Sequence, residues 1–353
     1  MSVAEPPASL PTLSWLSEPL PQCKSAPTAR YGGFTPLGHG GKAEVFRCRD
    51  QWLGREVAYK VLHHRLQLSD ADVADFLREA RVLAGLEHPG IPAVHDIGRD
   101  CHGRPYFTQT LLAGTTLRSI VDEVRTGGMV AEQRWPLERL AAIVLGAADA
   151  IAHAHQRGVL HCDLKPDNII VDDNDTAFVI DWGIAYVPAE LVRQRGLAAP
   201  GAPTPRPPRR GSPLYMAPEQ ATLAPLGERT DVFGLGAVLY ECLALRPPAT
   251  GKCVKDVLQN IAESMPPLPR NSTGRRGISP ELEMLTMRSL ARVPAERPAS
   301  ADEFRELLRE CQLDLLVSAD RSASAGAAYS SAPSTSAADW WEMQATDSWP
   351  APE

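Results

Sequence analysis

HCDLKPDNIIVDD at residues 161–173, followed by DWG at 181–183, decides how the rest of this chain is read. The first run brings a carboxylate (Asp163), an amine (Lys165) and an amide (Asn168) close together, and Asp181 supplies a second carboxylate shortly after. These are the groups needed to move a phosphoryl group from a nucleoside triphosphate to a hydroxyl. A carboxylate orients the acceptor, a cation steadies the migrating group, and oxygen ligands hold a divalent ion against the phosphates.

Two stretches upstream fit the same chemistry. LGHGGKAEVFRC (37–48) is a glycine-rich run whose small residues let backbone approach phosphates closely. VAYKVL (57–62) reads as an apolar strand joined to it by a hairpin, and Lys60 within that strand is costly to bury without an anion. The segment DADVADFLREARVLAGL (70–86) has Val73, Phe76, Leu77, Ala80, Leu83 and Ala84 at three- and four-residue steps, which predicts an amphipathic helix. Glu79 lies beside its apolar stripe.

Together these motifs resemble the bacterial eukaryotic-like serine/threonine protein kinases. The family's catalytic pattern H-R-D-x-x-x-x-N is present as His161, Cys162, Asp163 and Asn168, with a thiol where the Arg usually stands, and D-F-G is present as Asp181, Trp182 and Gly183. The resemblance implies an α+β, two-lobed fold: a small, mostly β N-lobe carrying one helix, and a larger, mostly α C-lobe. It also implies roles. Asp163 and Lys165 would be catalytic, while Asn168 and Asp181 would hold Mg²⁺, with Mn²⁺ as an alternative. ATP would be bound by Leu37, Gly38, His39, Gly40, Gly41, Lys42, Ala43, Glu44 and Val45 of the glycine-rich loop, with Ala43 in the third glycine position. Lys60 paired with Glu79 would position the phosphates. Thr110 to Leu112 would form the adenine hinge, with Gln109 at the back of the pocket.

GSPLYMAPEQ (211–220) resembles the end of the family's activation segment, here 181–219. The resemblance makes Ser212 a bridge between Asp163 and Lys165, and makes Glu219 the partner of Arg297. TDVFGLGAVLYECL (230–243) would be a buried helix whose Asp231 bonds to the catalytic-loop backbone. The D-L-K-P-x-N run containing Lys165 is of the serine/threonine type. The Cys162 departure bears on control, because the family's Arg commonly receives an activation-loop phosphate and a thiol cannot. Between Gly183 and Gly211 only Tyr186 and Thr204 carry hydroxyls. Both facts predict weak dependence on loop phosphorylation. Cys162 itself reads as a packing substitution, with a redox-sensing thiol as the alternative.

Composition sets outer limits. The chain has 353 residues, of which 44% are hydrophobic and 22% charged, enough for one large two-lobed domain with flexible ends. A formal net charge of −7 argues against nucleic acid as the main partner. Seven cysteines without C-x-x-C pairs read as reduced thiols, and no apolar run is long enough to span a membrane. With no secretion signal evident, a cytoplasmic location is the default expectation.

The organisation expected is a Pro/Ala-rich flexible leader (1–30), a kinase domain (31–315, N-lobe 31–112, C-lobe 113–315) and a disordered Ala/Ser-rich acidic tail (316–353). Trp340, Trp341 and Trp349 make that tail a candidate docking segment for a protein partner. Protein hydroxyls are the expected substrates. A nucleotide-binding pseudokinase scaffold and a small-molecule kinase are the rival readings.

Overall fold

The computed structural model describes residues 30–39, 42–63, 69–188, 211–273 and 277–330. An antiparallel five-stranded sheet comes first, in the order β1-β2-β3-β5-β4: β1 (Tyr31–His39), β2 (Ala43–Asp50), β3 (Arg55–Leu62), β4 (Val94–Arg99) and β5 (Pro105–Thr110). Alternation along β3 divides its side chains between two faces. Val57, Tyr59 and Val61 join Tyr31, Cys48 and Tyr106 in one apolar cluster, where the Tyr59 and Tyr106 rings stack at 4.7 Å. Lys60 therefore faces the other way.

That other face is covered by α1 (Asp70–Ala84), which begins at a capping box between Ser69 and Asp72. Phe76 packs on Phe107 of β5 with ring centroids 5.1 Å apart. Glu79 is only 6% exposed, deeper than a position at the edge of an apolar stripe suggests. Of the segment expected over 1–30, only Arg30 lies among the described residues. Arg30 is held by Asp50 (Nη2–Oδ2 2.9 Å) and Asp96 (3.2 Å), because the buried Asp50 carboxylate needs a counter-ion.

Beyond β5 the chain is mainly helical, with α2 (Leu117–Arg134), α3 (Leu137–Gln156), α4 (Pro218–Thr222), α5 (Glu228–Ala244), α6 (Val254–Glu263), α7 (Arg270–Thr273) and α8 (Pro280–Ser289). A small sheet of β6 (Thr115–Thr116), β7 (Ile169–Val171) and β8 (Ala177–Val179) frames the catalytic loop. Gly114 opens it at φ 156°, where an added Cβ would lie 2.2 Å from the Val171 carbonyl oxygen, so no other residue fits. Every residue from Thr230 to Ala244 is buried, the paired carboxylates of Asp231 and Glu241 included, as expected of a mainly apolar helix at the centre of a lobe. Gly236 lets α5 close on α8, since a Cβ there would meet Ser289 at 2.5 Å.

A β lobe followed by a helical lobe is the architecture implied by the resemblance. The last helix, α9, spans Ala301–Ser330. Backbone is thus helical well past 316, where the tail was expected to begin, in keeping with the high helix propensity of its alanines. The three tail tryptophans lie outside the described residues.

Candidate active site

Lys60 leaves the sheet toward α1 and meets Glu79 at 2.5 Å, with Asp181 4.0 Å from the same ammonium. Burial opposes the lysine's charge, but the two carboxylates outweigh it and hold its pKa above the ordinary lysine value. Val45 of β2 lies directly opposite Lys60 in the sheet.

The catalytic loop is fixed from below. Asp231, in the first turn of α5, accepts from the backbone N–H groups of His161 (2.7 Å) and Cys162 (2.8 Å) and lies 2.9 Å from His155 Nε2. Burial alone would raise the pKa of this carboxyl; the hydrogen bonds outweigh that and lower it below the usual range. His161 Nδ1 accepts from the Asp163 N–H at 3.1 Å, which leaves Nε2 to donate to the Ile180 carbonyl at 3.1 Å. One imidazole thus ties the loop to the strand leading to Asp181. That aspartate adopts a left-handed backbone (φ 61°), and Trp182 after it is buried, its indole Nε1 donating to the Val179 carbonyl at 3.1 Å.

Around Asp163 the polar groups converge. Lys165 Nζ reaches Asp163 Oδ2 at 2.9 Å and Ser212 Oγ at 2.7 Å. Ser212 touches Asp163 through its backbone N–H (2.7 Å to Oδ1) and not through its hydroxyl. Asn168 spends its Nδ2 on the Asp163 carbonyl (2.8 Å), which leaves its amide oxygen for another partner. Asn168 and Asp181 thus offer hard oxygen donors of the kind Mg²⁺ and Mn²⁺ prefer. Among the described residues there is no group of three or more His, Cys, Asp or Glu that could hold a metal ion by themselves.

The glycine-rich hairpin is less gathered. Gly38 and His39 pair with Val45 and Glu44 across β1 and β2, Leu37 is 52% exposed, and Ala43 is buried at the start of β2. Gly40 and Gly41 lie outside the described residues. Lys42 pairs with Asp72 on α1, and Glu44 lies 3.6 Å from His63 and 4.0 Å from Arg104. At the end of β5 the Thr110 N–H donates to the Ala93 carbonyl at 2.9 Å, and Leu112 beyond it is half-buried.

Residues 31–309 match the family model described as "Protein kinase domain". The chain belongs to the protein kinase family. Members of this family use ATP and a divalent cation. The chain is 37% identical over 239 residues to the DNA damage-responsive serine/threonine-protein kinase RqkA of Deinococcus radiodurans, covering 67% of this chain and 33% of that protein. It is 34% identical over 280 residues to the serine/threonine-protein kinase pkn3 of Myxococcus xanthus, covering 77% and 48%. With the serine/threonine-protein kinase PknB of Mycolicibacterium smegmatis it shares 36% over 279 residues, covering 77% and 41%. The chain thus spans between a third and a half of these curated relatives' length.

Within this kinase domain Cys162 has no character of a reactive thiol. It is buried among Leu160, Tyr186, Leu226 and Ile184, and burial, with Asp231, Asp163 and Glu219 nearby, pushes its pKa well above the ordinary thiol value. Arg297 forms a double hydrogen bond to Glu219, at 2.7 and 2.9 Å. Several contributors escaped the sequence reading. Gln220 Nε2 donates to the Cys162 carbonyl at 2.8 Å, and its place directly after A-P-E was a usable signal. Arg118, Tyr215 and Glu241 also cluster here, from three distant segments that share no local pattern.

Proposed function

We propose that this chain is a serine/threonine protein kinase that transfers the γ-phosphoryl group of ATP to protein hydroxyls and also to its own. The convergence of Lys165 and Ser212 on Asp163, beside the Asn168 amide, carries this reading. Asp163 would orient the acceptor hydroxyl and accept its proton as the new O–P bond forms and the bridge to the β-phosphate breaks, releasing ADP. Lys165 would neutralise charge on the migrating group. Lys60, held by Glu79, would fix the α- and β-phosphates beneath the hairpin that includes Leu37 to Val45. Asn168 and Asp181 would hold Mg²⁺, or Mn²⁺, which when bound neutralises phosphate charge.

Adenine would meet the backbone from Thr110 to Leu112. The described cysteines are all free thiols, which supports a reducing, cytoplasmic setting. No helix among the described residues is long and apolar enough to cross a membrane.

The test is incubation with labelled ATP and Mg²⁺ plus a generic protein acceptor, comparing the native chain with Lys60→Met and Asp163→Ala. Incorporation on serine and threonine by the native chain, lost in both variants, is expected. Equal labelling in the variants, or none in any form, would refute it.

A further inference from the structure

We propose that Lys42 is a positioning residue: through Asp72 it clips the glycine-rich hairpin to the first turn of α1, which couples the covering of the nucleotide to the seating of Glu79 against Lys60. The inference rests on the protein kinase reading and deepens it by giving Lys42 a role other than the phosphate contact that its place in the run suggests.

Lys42 stands directly before β2, and its carbonyl accepts from the His63 N–H at 3.0 Å, which extends the β2–β3 ladder past the Ala43–Leu62 pair. Its ammonium reaches across to α1, where Asp72 Oδ1 meets it and Asp75 Oδ2 lies 4.0 Å away. The other oxygen of Asp72 is taken as well: Oδ2 accepts from the Ser69 N–H at 3.0 Å and from the Ser69 hydroxyl at 2.7 Å. Lys42 first, then Ser69, hold that carboxyl well below the usual carboxylate range, so the charge facing Lys42 persists. The lysine is thus already answered before any triphosphate arrives. A phosphate would have to draw it off a carboxylate that the helix cap keeps in place.

The spacing makes this pair a second rung beside Lys60 and Glu79. On α1, Asp72 and Glu79 are seven residues apart, about 10.5 Å of helix and close to two full turns, so both look the same way. On the sheet, Val45 is opposite Lys60, and Lys42 lies three residues before Val45, about 10 Å of extended chain. Equal steps let both ion pairs close at once. One rung, Lys60 to Glu79 at 2.5 Å, would leave α1 free to pivot about it; two rungs that far apart fix its direction. Lifting the hairpin therefore pulls on the end of the helix that carries Asp72. The Lys42 and Asp72 side chains are 35% and 22% exposed, so the rung is a modest tie that can open and close with the nucleotide.

The experiment is calorimetric titration of the chain with ATP and Mg²⁺, alongside the labelled-ATP assay, for Lys42→Met, Asp72→Asn, the double variant, Lys42→Arg and Ser69→Ala. Each single loss of charge is expected to weaken ATP binding about three- to fivefold, the scale of a partly exposed ion pair, and the double variant to be no worse than either. Lys42→Arg keeps the charge and Ser69→Ala keeps the pair while removing the cap's hydroxyl, so both should bind within about twofold of the native chain. kcat/KM for ATP should fall in step with binding, chiefly through KM. Were Lys42 a phosphate ligand, Asp72→Asn would free it and binding would hold or tighten; that result, or additive losses in the double variant, overturns the proposal. Binding by Ser69→Ala as weak as by Asp72→Asn would also overturn it, since the cap and not the pair would carry the effect. A native chain that binds ATP yet labels no serine or threonine refutes the kinase reading alone, because the binding ratios still decide Lys42. One that binds no ATP refutes both.

Discussion

Replacing Arg297 with alanine should be among the most damaging single changes outside the reacting groups. Its side chain is 0% exposed, and all its donors are engaged: two on Glu219, Nε on the Ala291 carbonyl at 2.7 Å, and further bonds to the carbonyls of Arg229 (2.8 Å) and Arg292 (3.2 Å). The guanidinium also lies 5.0 Å over the Phe233 ring. Arg297→Ala leaves Glu219 buried with no counter-charge, a loss of about 3–5 kcal/mol, and this pair belongs at the upper end because three carbonyls lose donors as well. That is a large share of a typical stability of about 5–15 kcal/mol. For a domain of this size it amounts to a fall of roughly 10 °C in melting temperature.

Urea unfolding followed by circular dichroism measures the loss. The double variant Arg297→Met/Glu219→Leu is expected to recover most of it, since an apolar pair removes the stranded charge. A loss below about 1 kcal/mol for the single variant, the scale of a surface ion pair, would refute the reasoning. So would a double variant no more stable than Arg297→Ala.

Other outcomes follow from the same geometry. Burial, with Arg157 and His88 adding to it, pushes the His153 pKa from 6.5 down to about 4. Because the folded value is the lower one, the unfolded chain binds the proton first; stability is full above the unfolded value and falls as pH drops from 6.5 to about 4. His153→Leu should flatten that fall in urea titrations, and an unchanged slope would exonerate His153. Under native conditions a thiol reagent should label the exposed Cys101 and Cys253 quickly, and Cys162 only at the rate of unfolding; rapid labelling at Cys162, read by peptide mapping, would contradict its burial. Thr204→Ala should retain most of the kinase rate, since the site where a loop phosphate would need an arginine holds a thiol in an apolar cluster; loss of most of the rate in the labelled-ATP assay would contradict this.

What could be read from sequence was what lies in short, contiguous runs. The catalytic loop keeps Asp163, Lys165 and Asn168 within a few residues, so their proximity needs no fold to be seen. Two-residue alternation in β3 puts Lys60 opposite the tyrosine face, and the apolar steps of α1 aim Glu79 toward it. The limits came from depth and distance. Periodicity gave Glu79 a side of its helix but not its burial. Lys42 lies in the glycine-rich run, yet pairs with Asp72, whose capping role in α1 only the folded chain reveals. Arg118, Tyr215 and Glu241 are brought together by α2, the turn after Ser212 and α5, and no spacing rule links such positions. Cys162 was legible as a departure, but its chemical inertness required the cluster around it.

The indole at position 182 stiffens the segment that follows Asp181. A phenylalanine there would be held by packing alone, whereas Trp182 is also tethered by its N–H and braced edge-on by the His161 ring at 4.7 Å. Uncovering an aromatic side chain of about 150–250 Å² costs on the order of 4–6 kcal/mol before the broken tether is counted. Any rearrangement that turned this side chain out of its packing would have to supply that much free energy, so the backbone just after Asp181 is held more firmly than packing alone would hold it.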